Sequence, residues 1–436
     1  MDFTRFSDGI EQFSDGIGIL AFVFFIFLAF ETIRQFRPCL SAMNTKLASQ
    51  EDTGSEDFEP QVQILLCLRG KDPFLMRCLG NLANQAYTNY RVSVILDSKE
   101  DEAYDQVKEL MTIIESSRFD IMVRDRLYST CSRRACSVLT GLSQLSDDVE
   151  IVVMCDGDAM PSDNWLRELV ANFNDPSVLA TSGNRWYAPP TPNLGSQLRY
   201  FWNALAVPSM FTHGIPWAGS MAIHRSLFND PKFLESIQQA FSEDTQLAAF
   251  LTTKGIRVRP MPELPIVNEE TVSLSSFWGF LIRQLIAARV HHPKWSLVLG
   301  HGIILGFAAW VLLPLSIIAG PTAIVGWITG YLTFGIIVHI LVRSYDLRVR
   351  QLVEITHESS HPPYSRRRIL VTLPIGTLTM FLYPIAVLQA ALLKTHVWRG
   401  ISYRISNAGI IAIDTHLGEG RTVEEYEAVE EFEPAI

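Results

Sequence analysis

Residues 150–161 read EIVVMCDGDAMP. Ile151, Val152, Val153 and Met154 form a short unbroken apolar run, the pattern of a strand buried on both faces of a sheet. Asp156-Gly157-Asp158 follows at its end. In sheets wound with helices, ligands sit beyond the carboxyl ends of the strands, and these two acids fall there. Carboxylates one residue apart offer hard oxygen ligands to a divalent cation, and such a cation bridges to phosphate oxygens. Gly157 lets the backbone turn and leaves room beside them. An Asp-Gly turn entering a helix capped by Ser162 is the plainer reading of the same residues.

Upstream, strand and helix signals alternate. Apolar runs at 62–68 and 92–96 and a strand-like 121–124 are separated by helical spacing at 73–84, 101–115 and 134–145. Strands parted by helices of this length predict a mainly parallel α/β sheet covered on both faces. Asp97 closes the run VSVIL, where a carboxylate accepts hydrogen bonds from a ribose or base, although LDSKEDE also reads as an ordinary turn. Glu243-Asp244 open a helix after the loop Trp217-Ala218-Gly219-Ser220-Met221. Asp244 is placed for general-base work, and favourable charge at a helix N-terminus is the alternative.

The composition points to a bilayer. The chain has 436 residues, 48% hydrophobic and 19% charged, and its mean hydropathy is +0.17. Residues 16–30, 297–319, 322–342 and 369–393 are long apolar stretches. The acids Asp2, Asp8, Glu11 and Asp15 before the first run argue for an uncleaved anchor over a signal peptide. Arg34 and Arg37 follow it, and Arg343, Arg348 and Arg350 follow the third run. By the positive-inside rule the N-terminus lies outside and the α/β domain is cytoplasmic. The boundaries read from this are an anchor at 1–37, a linker at 38–60, a cytoplasmic domain at 61–295, a membrane domain with three spans at 296–394 and a tail at 395–436. Lys394, Arg399 and Arg404 oppose an outside tail, and its side stays open. Glu424, Glu425, Glu427, Glu430, Glu431 and Glu433 make its end solvated and disordered. A net charge of −10 without a basic domain excludes nucleic acid as a partner. Six cysteines without metal-site spacing read as buried free thiols.

The order Asp97, Asp156-Gly157-Asp158, Glu243-Asp244, Arg283-Gln284-Leu285 and then apolar spans resembles the inverting family-2 glycosyltransferases of GT-A fold. Leu66-Cys67-Leu68-Arg69-Gly70-Lys71-Asp72-Pro73 and Trp398-Arg399-Gly400-Ile401-Ser402-Tyr403 bring the resemblance nearest to ceramide glucosyltransferases and their bacterial relatives. The resemblance implies a nucleoside diphosphate sugar donor such as UDP-glucose. It implies a divalent cation, Mg or Mn, on Asp156 and Asp158, and catalysis by Asp244 with Glu243 beside it. Arg69, Asp97, Arg134, Asp156 and Arg283 would bind the donor. Its Q/R-x-x-R-W motif falls on Arg283 with Ile286 and Ala287 where Arg and Trp belong. Either Arg289 and His291-His292-Pro293-Lys294-Trp295 substitute, or the acceptor differs. A plainer reading of the histidines is a juxtamembrane belt.

A helix at 276–290 leading straight into apolar spans sets the cleft near the headgroup plane. A lipid hydroxyl can reach Asp244 there without leaving its leaflet, which avoids about 0.8 kcal/mol for each methylene exposed. A lipid acceptor follows, and the resemblance implies ceramide as that lipid. A processive polysaccharide synthase of the same fold and a non-catalytic nucleotide-sugar-binding scaffold are the alternatives.

Overall fold

The computed structural model describes residues 3–49, 58–114, 117–125, 127–190, 193–356, 366–406 and 411–414. Helix α1 (Phe3–Ser49) leads into β1 (Val62–Leu68), α2 (Leu75–Ala83), β2 (Tyr90–Leu96), α3 (Glu102–Ile114), β3 (Phe119–Val123), α4 (Arg133–Ser143) and β4 (Ile151–Cys155). Then follow α5 (Trp165–Ala171), β5 (Ala180–Tyr187), α6 (Leu194–His213), β6 (Ser220–His224), α7 (Pro231–Ile237), α8 (Glu243–Thr253), β7 (Arg259–Asn268) and α9 (Leu274–His291).

The sheet runs β3-β2-β1-β4-β6-β5-β7. Strands β3, β2, β1 and β4 are parallel. β6 runs against both β4 and β5, and β5 is parallel to β7. This mainly parallel sheet wound with helices is the GT-A arrangement that the sequence implies. Its side chains alternate between faces as the strand period demands. Ile64, Leu66, Val92, Val94 and Val153 pack under α2, α3 and α5, while Leu65, Ile95, Val152 and Met154 pack under α4, α7 and α8. Each fully buried aliphatic side chain contributes roughly 1.5–3 kcal/mol. The parallel strands β1, β2 and β4 end at one edge, and Asp97 and Asp156 follow them there.

Beyond α9 come α10 (Trp295–Gly306), a π-helical turn (Phe307–Leu312), α11 (Leu313–Ala319), α12 (Pro321–Thr356) and α13 (Arg366–Leu392). Among the described residues four segments are long and apolar enough to cross a membrane: residues 11–49, 295–319, 321–355 and 374–392. α1 lies against α12 with little between the backbones. A Cβ on Gly326 would stand 2.6 Å from Cα of Gly18, the close approach that small residues allow between helices in lipid. Ser14 and Thr322 share a hydroxyl hydrogen bond of 2.6 Å at the end of this pair remote from the sheet. At the sheet end, Trp186 Nε1 donates to Asp346 on α12 at 3.1 Å, and Tyr345 donates to Asn184 at 3.0 Å.

Two boundaries read from the sequence change. Residues 38–49, read as linker, are the last turns of α1, which continues through Pro38 to Ser49. Phe36, Cys39 and Met43 recur at helical spacing and pack with Val342, Val349 and Val353 of α12. That burial overrides the polar composition of the stretch. The first part of the tail is also structured: β8 (Thr395–Trp398) and β9 (Ile401–Ile405) form a hairpin joined by β10 (Ile411–Asp414). Tyr403 accepts a hydrogen bond from the Arg133 backbone at 3.3 Å and its ring meets Phe241 at 5.4 Å. The hairpin therefore lies on the α/β domain. The acidic stretch 424–433 falls outside the described residues, as do 50–57 of the linker. The six cysteines are all free.

Candidate active site

Asp97 is buried at the end of β2. Arg69, just past β1, pairs with its carboxylate, and Arg124 Nη1 lies 3.5 Å from the other oxygen. The backbone N–H of Gly70 donates to Asp101 at 2.8 Å, which holds the turn that carries Arg69. At the same edge of the sheet, past β4, lie Asp156, Gly157 and Asp158, the floor of the candidate site.

Asp156 is the better compensated of the two floor acids. Arg134 Nη1 is 2.6 Å from Oδ1, and Trp217 Nε1 donates to Oδ2 at 3.2 Å. Burial pushes its carboxyl up, but Arg134, Arg185 and Arg283 outweigh that and hold it below the ordinary value. Asp158 receives one hydrogen bond, from Asn268 Nδ2 at 2.7 Å. Burial, then the charges of Asp156 and Asp72, push it up to about 6. Negative charge is thus in surplus around Asp158, and a divalent cation fits that surplus. Among the described residues no group of three or more His, Cys, Asp or Glu is gathered to hold a metal ion, so a bound diphosphate would have to complete the ligand set.

The two acids opening α8 part company. Glu243 is 2% exposed and pairs with Arg134. Burial raises its carboxyl, and Arg134 offsets this only partly. Asp244 turns into the cleft. It accepts from the Ala218 backbone N–H at 3.0 Å and from the Thr245 N–H at 2.6 Å. These bonds orient its carboxylate toward a cavity of about 440 Å³ that it lines together with Trp217 and Arg185. The cavity continues away from the sheet between α1, α6, α10, α12 and α13, among Phe201, Leu205, Val298, Phe334 and Tyr383.

Arg283, on α9, lies close enough to Asp156 to help lower its pKa. Its guanidinium lies 4.7 Å from the Trp398 ring, and burial, then Arg185, lowers its pKa to about 10. Arg134 thus joins Asp156 to Glu243, Asp158 and Arg283 lie close enough to Asp156 for their charges to interact, Arg69 and Asp97 pair with each other past the neighbouring strands, and Asp244 alone of these residues lines the cavity. Two residues that the sequence gives little reason to single out complete it. Arg185 of β5 sits among Tyr187, Trp217 and Phe280, 5.0–5.6 Å from their ring centres. Trp217 both covers Arg185 and donates to Asp156. The sole signals are a basic residue within an otherwise buried strand and a glycine two residues after the tryptophan. A Cβ on Gly219 would stand 2.5 Å from Asp156 Oδ2 and would also strike the Trp217 indole.

Ile286 and Ala287, where the resemblance calls for Arg and Trp, are buried among apolar neighbours. Arg289 does not replace them. Its Nη1 donates to the carbonyls of Ala390 at 2.9 Å and Leu393 at 2.7 Å, at the end of α13. His291 accepts from the Phe241 backbone N–H at 2.8 Å, and His292 accepts from the Lys294 N–H at 3.1 Å. The cations that converge on the floor acids are Arg134, Arg185 and Arg283.

A family model described as Glycosyl transferase family 21 matches residues 33–411. The sequence resemblance pointed to family-2 enzymes; a glycosyltransferase is common to both. No curated protein matches the chain. Among solved structures, a mannosyltransferase from Pyrobaculum calidifontis in complex with GDP-Man and Mn2+ is 15% identical, with 88% of this chain and 99% of that one covered and a TM-score of 0.46. Glucosyl-3-phosphoglycerate synthase from Mycobacterium tuberculosis, in complex with Mn2+ and UDP-glucose, is 11% identical, with 52% and 78% covered and a TM-score of 0.35. TarS from S. aureus, residues 1–349, is 12% identical, with 83% and 98% covered and a TM-score of 0.36.

Proposed function

Because this chain belongs to glycosyl transferase family 21, we propose that it moves a hexose from a nucleoside diphosphate sugar, UDP-glucose in the first instance, to the hydroxyl of a membrane lipid with inversion at the anomeric carbon. The observation that carries this reading is one cavity with Asp244, Arg185 and Trp217 in its wall at the α/β end and apolar helices at the other. Asp97, with Arg69 and Arg124, faces the nucleoside. Arg134, Arg185 and Arg283 face the diphosphate. Asp244 accepts the proton of the lipid hydroxyl as that oxygen forms its bond to the anomeric carbon. The bond from that carbon to the diphosphate breaks on the opposite face, and the nucleoside diphosphate leaves with the electron pair. Asp156 and Asp158 would hold a divalent cation, Mg or Mn, which supplies charge neutralisation for the leaving diphosphate.

The membrane reading is part of the proposal. Arg34, Arg37, Arg343, Arg348 and Lys394 lie at the α/β end of the apolar helices, which supports a cytoplasmic domain and an opposite N-terminus. The last helix then enters and leaves on one side. Ten peptide links join Thr356 to Arg366, a reach of about 35 Å. α12, with 36 residues, is about 54 Å long, so Arg366 falls short of its far end. The other end of α13 hangs on Arg289, and Pro374 and Pro384 within it permit a bend.

The test is nucleotide release and labelled-lipid formation by purified protein in detergent. UDP- and GDP-sugars are scanned with ceramide, diacylglycerol and polyprenyl phosphate, in Mg, Mn or chelator. Metal-dependent release that rises with one lipid is expected. Asp244→Asn should abolish transfer and leave donor affinity within about twofold; transfer at the wild-type rate would remove Asp244 from the role of base.

A further inference from the structure

The mouth of the cavity that Asp244 lines carries a cation that a neutral acceptor does not use. Of the side chains lining the cavity, Asp244 is the sole carboxylate, against Arg34, Arg185 and Lys294 as fixed cations. Arg185 belongs to the donor end, in its aromatic cage. The other two stand at the opening between α1, α6 and α10, where His213 closes the last turn of α6. Arg34 is paired with Glu31, whose carboxylate lies 2.8 Å from both its Nε and Nη2, so the uncompensated cation at the mouth is Lys294. Lys294 is exposed at the mouth and makes no ion pair among the described residues. The field is felt by its neighbours: burial, then Lys294, Arg34 and Arg257, lower the pKa of His213, and no acid opposes them. Burial, then His213 and Lys294, lower His292 to about 4. Three elements far apart in sequence thus bring a cation and histidine donors to one apolar opening, the chemistry that receives an anionic oxygen such as a phosphate's.

We propose that this cavity takes an acceptor lipid that carries a phosphate beside its reacting hydroxyl, with the phosphate held at the mouth by Lys294, His213 and Arg34 and the acyl chains lying between α10, α12 and α13. This deepens, and rests on, the reading that Asp244 activates a lipid hydroxyl. It makes a hydroxyl-bearing phospholipid the preferred acceptor over a neutral lipid with similar chains. Apolar walls supply affinity for the chains, and the cationic mouth sets which headgroup is drawn toward Asp244.

The experiment reconstitutes the full chain into neutral vesicles doped with phosphatidylglycerol, diacylglycerol or ceramide, and follows label from UDP-[14C]glucose or GDP-[14C]mannose. A parallel arm offers water-soluble glycerol phosphate. Transfer to phosphatidylglycerol at least tenfold above the two neutral lipids is expected. Lys294→Gln should raise the KM for phosphatidylglycerol about tenfold, and Lys294→Arg should restore it, with size-exclusion profile and donor binding confirming that each variant is folded. Equal or better use of ceramide or diacylglycerol, with no effect of Lys294→Gln, overturns the phosphate inference and leaves lipid transfer standing. Glycerol phosphate labelled as well as phosphatidylglycerol overturns the lipid-chain part. Donor hydrolysis with no lipid labelled in any arm overturns the underlying reading as well.

Discussion

Replacing Arg134 by Gln tests the charge arrangement on which the candidate site depends. Arg134 holds Asp156 at 2.6 Å and also pairs with Glu243. The Glu243 side chain is 2% exposed, so without Arg134 it must stay charged and uncompensated or take up a proton. Removing one partner of a buried pair costs about 3–5 kcal/mol, and we expect about 4 here. Glu243→Gln alone leaves Arg134 paired with Asp156 and should cost about 1–2 kcal/mol, the scale of a lost charged hydrogen bond. The double variant carries two neutral amides able to bond each other, and should cost about 3 kcal/mol. That is roughly 2–3 kcal/mol less than the sum, which is the coupling a double-mutant cycle reads. Fluorescence-monitored unfolding in detergent would measure it. The pH response gives a second check. In Arg134→Gln the folded pKa of Glu243 lies further above its unfolded value. The variant should therefore be more stable near pH 5.5 than at pH 7.5, losing stability as pH rises through that folded pKa. Strict additivity of the two single changes, or no gain toward acid pH, would refute the placement of Glu243 on Arg134.

Other outcomes follow from single contacts. Gly219→Ala drives a methyl toward Asp156 Oδ2 and the Trp217 indole; loss of their hydrogen bond should destabilise the fold by about 1.5–3 kcal/mol, read as earlier unfolding in detergent, and donor binding should weaken in a titration. Gly326→Leu forces α1 from α12 and should destabilise by about 1–3 kcal/mol, read as earlier thermal aggregation in detergent, while donor affinity stays the same. His291 is buried as an acceptor for Phe241, and burial lowers its pKa to about 4. Its contribution is complete above pH 6.5 and is lost as pH falls toward 4, by about 3 kcal/mol at most. His291→Gln should flatten that part of the acid branch in a comparison of the two unfolding curves, and equal acid sensitivity would show that His291 is not the group concerned.

The sheet was legible because its strands announce themselves locally. Residues 151–155 are apolar without interruption, and 62–68 and 92–96 are broken only by Gln63 and Ser93, the pattern of strands in a sheet covered on both faces. Asp97, Asp156, Asp158 and Asp244 were legible for a related reason, since acids at strand and helix ends stand out against apolar sequence. The apolar helices followed from length and composition alone.

Other features depend on residues distant in sequence meeting in space. The cage around Arg185 draws Tyr187, Trp217 and Phe280 from β5, the β6 loop and α9. Glu243 and Asp244, adjacent and alike in sequence, differ because one faces Arg134 and the other the cavity. The polar 41–49 stretch is helical because α12 covers Met43, and β8–β9 lies on the domain because Phe241 and the N-terminus of α4 receive Tyr403. The residue pattern determined which segments bury themselves and which acids end them. Tertiary packing decided which charge faces which, because electrostatic partnership depends on distance and desolvation, and neither is a local property of the chain.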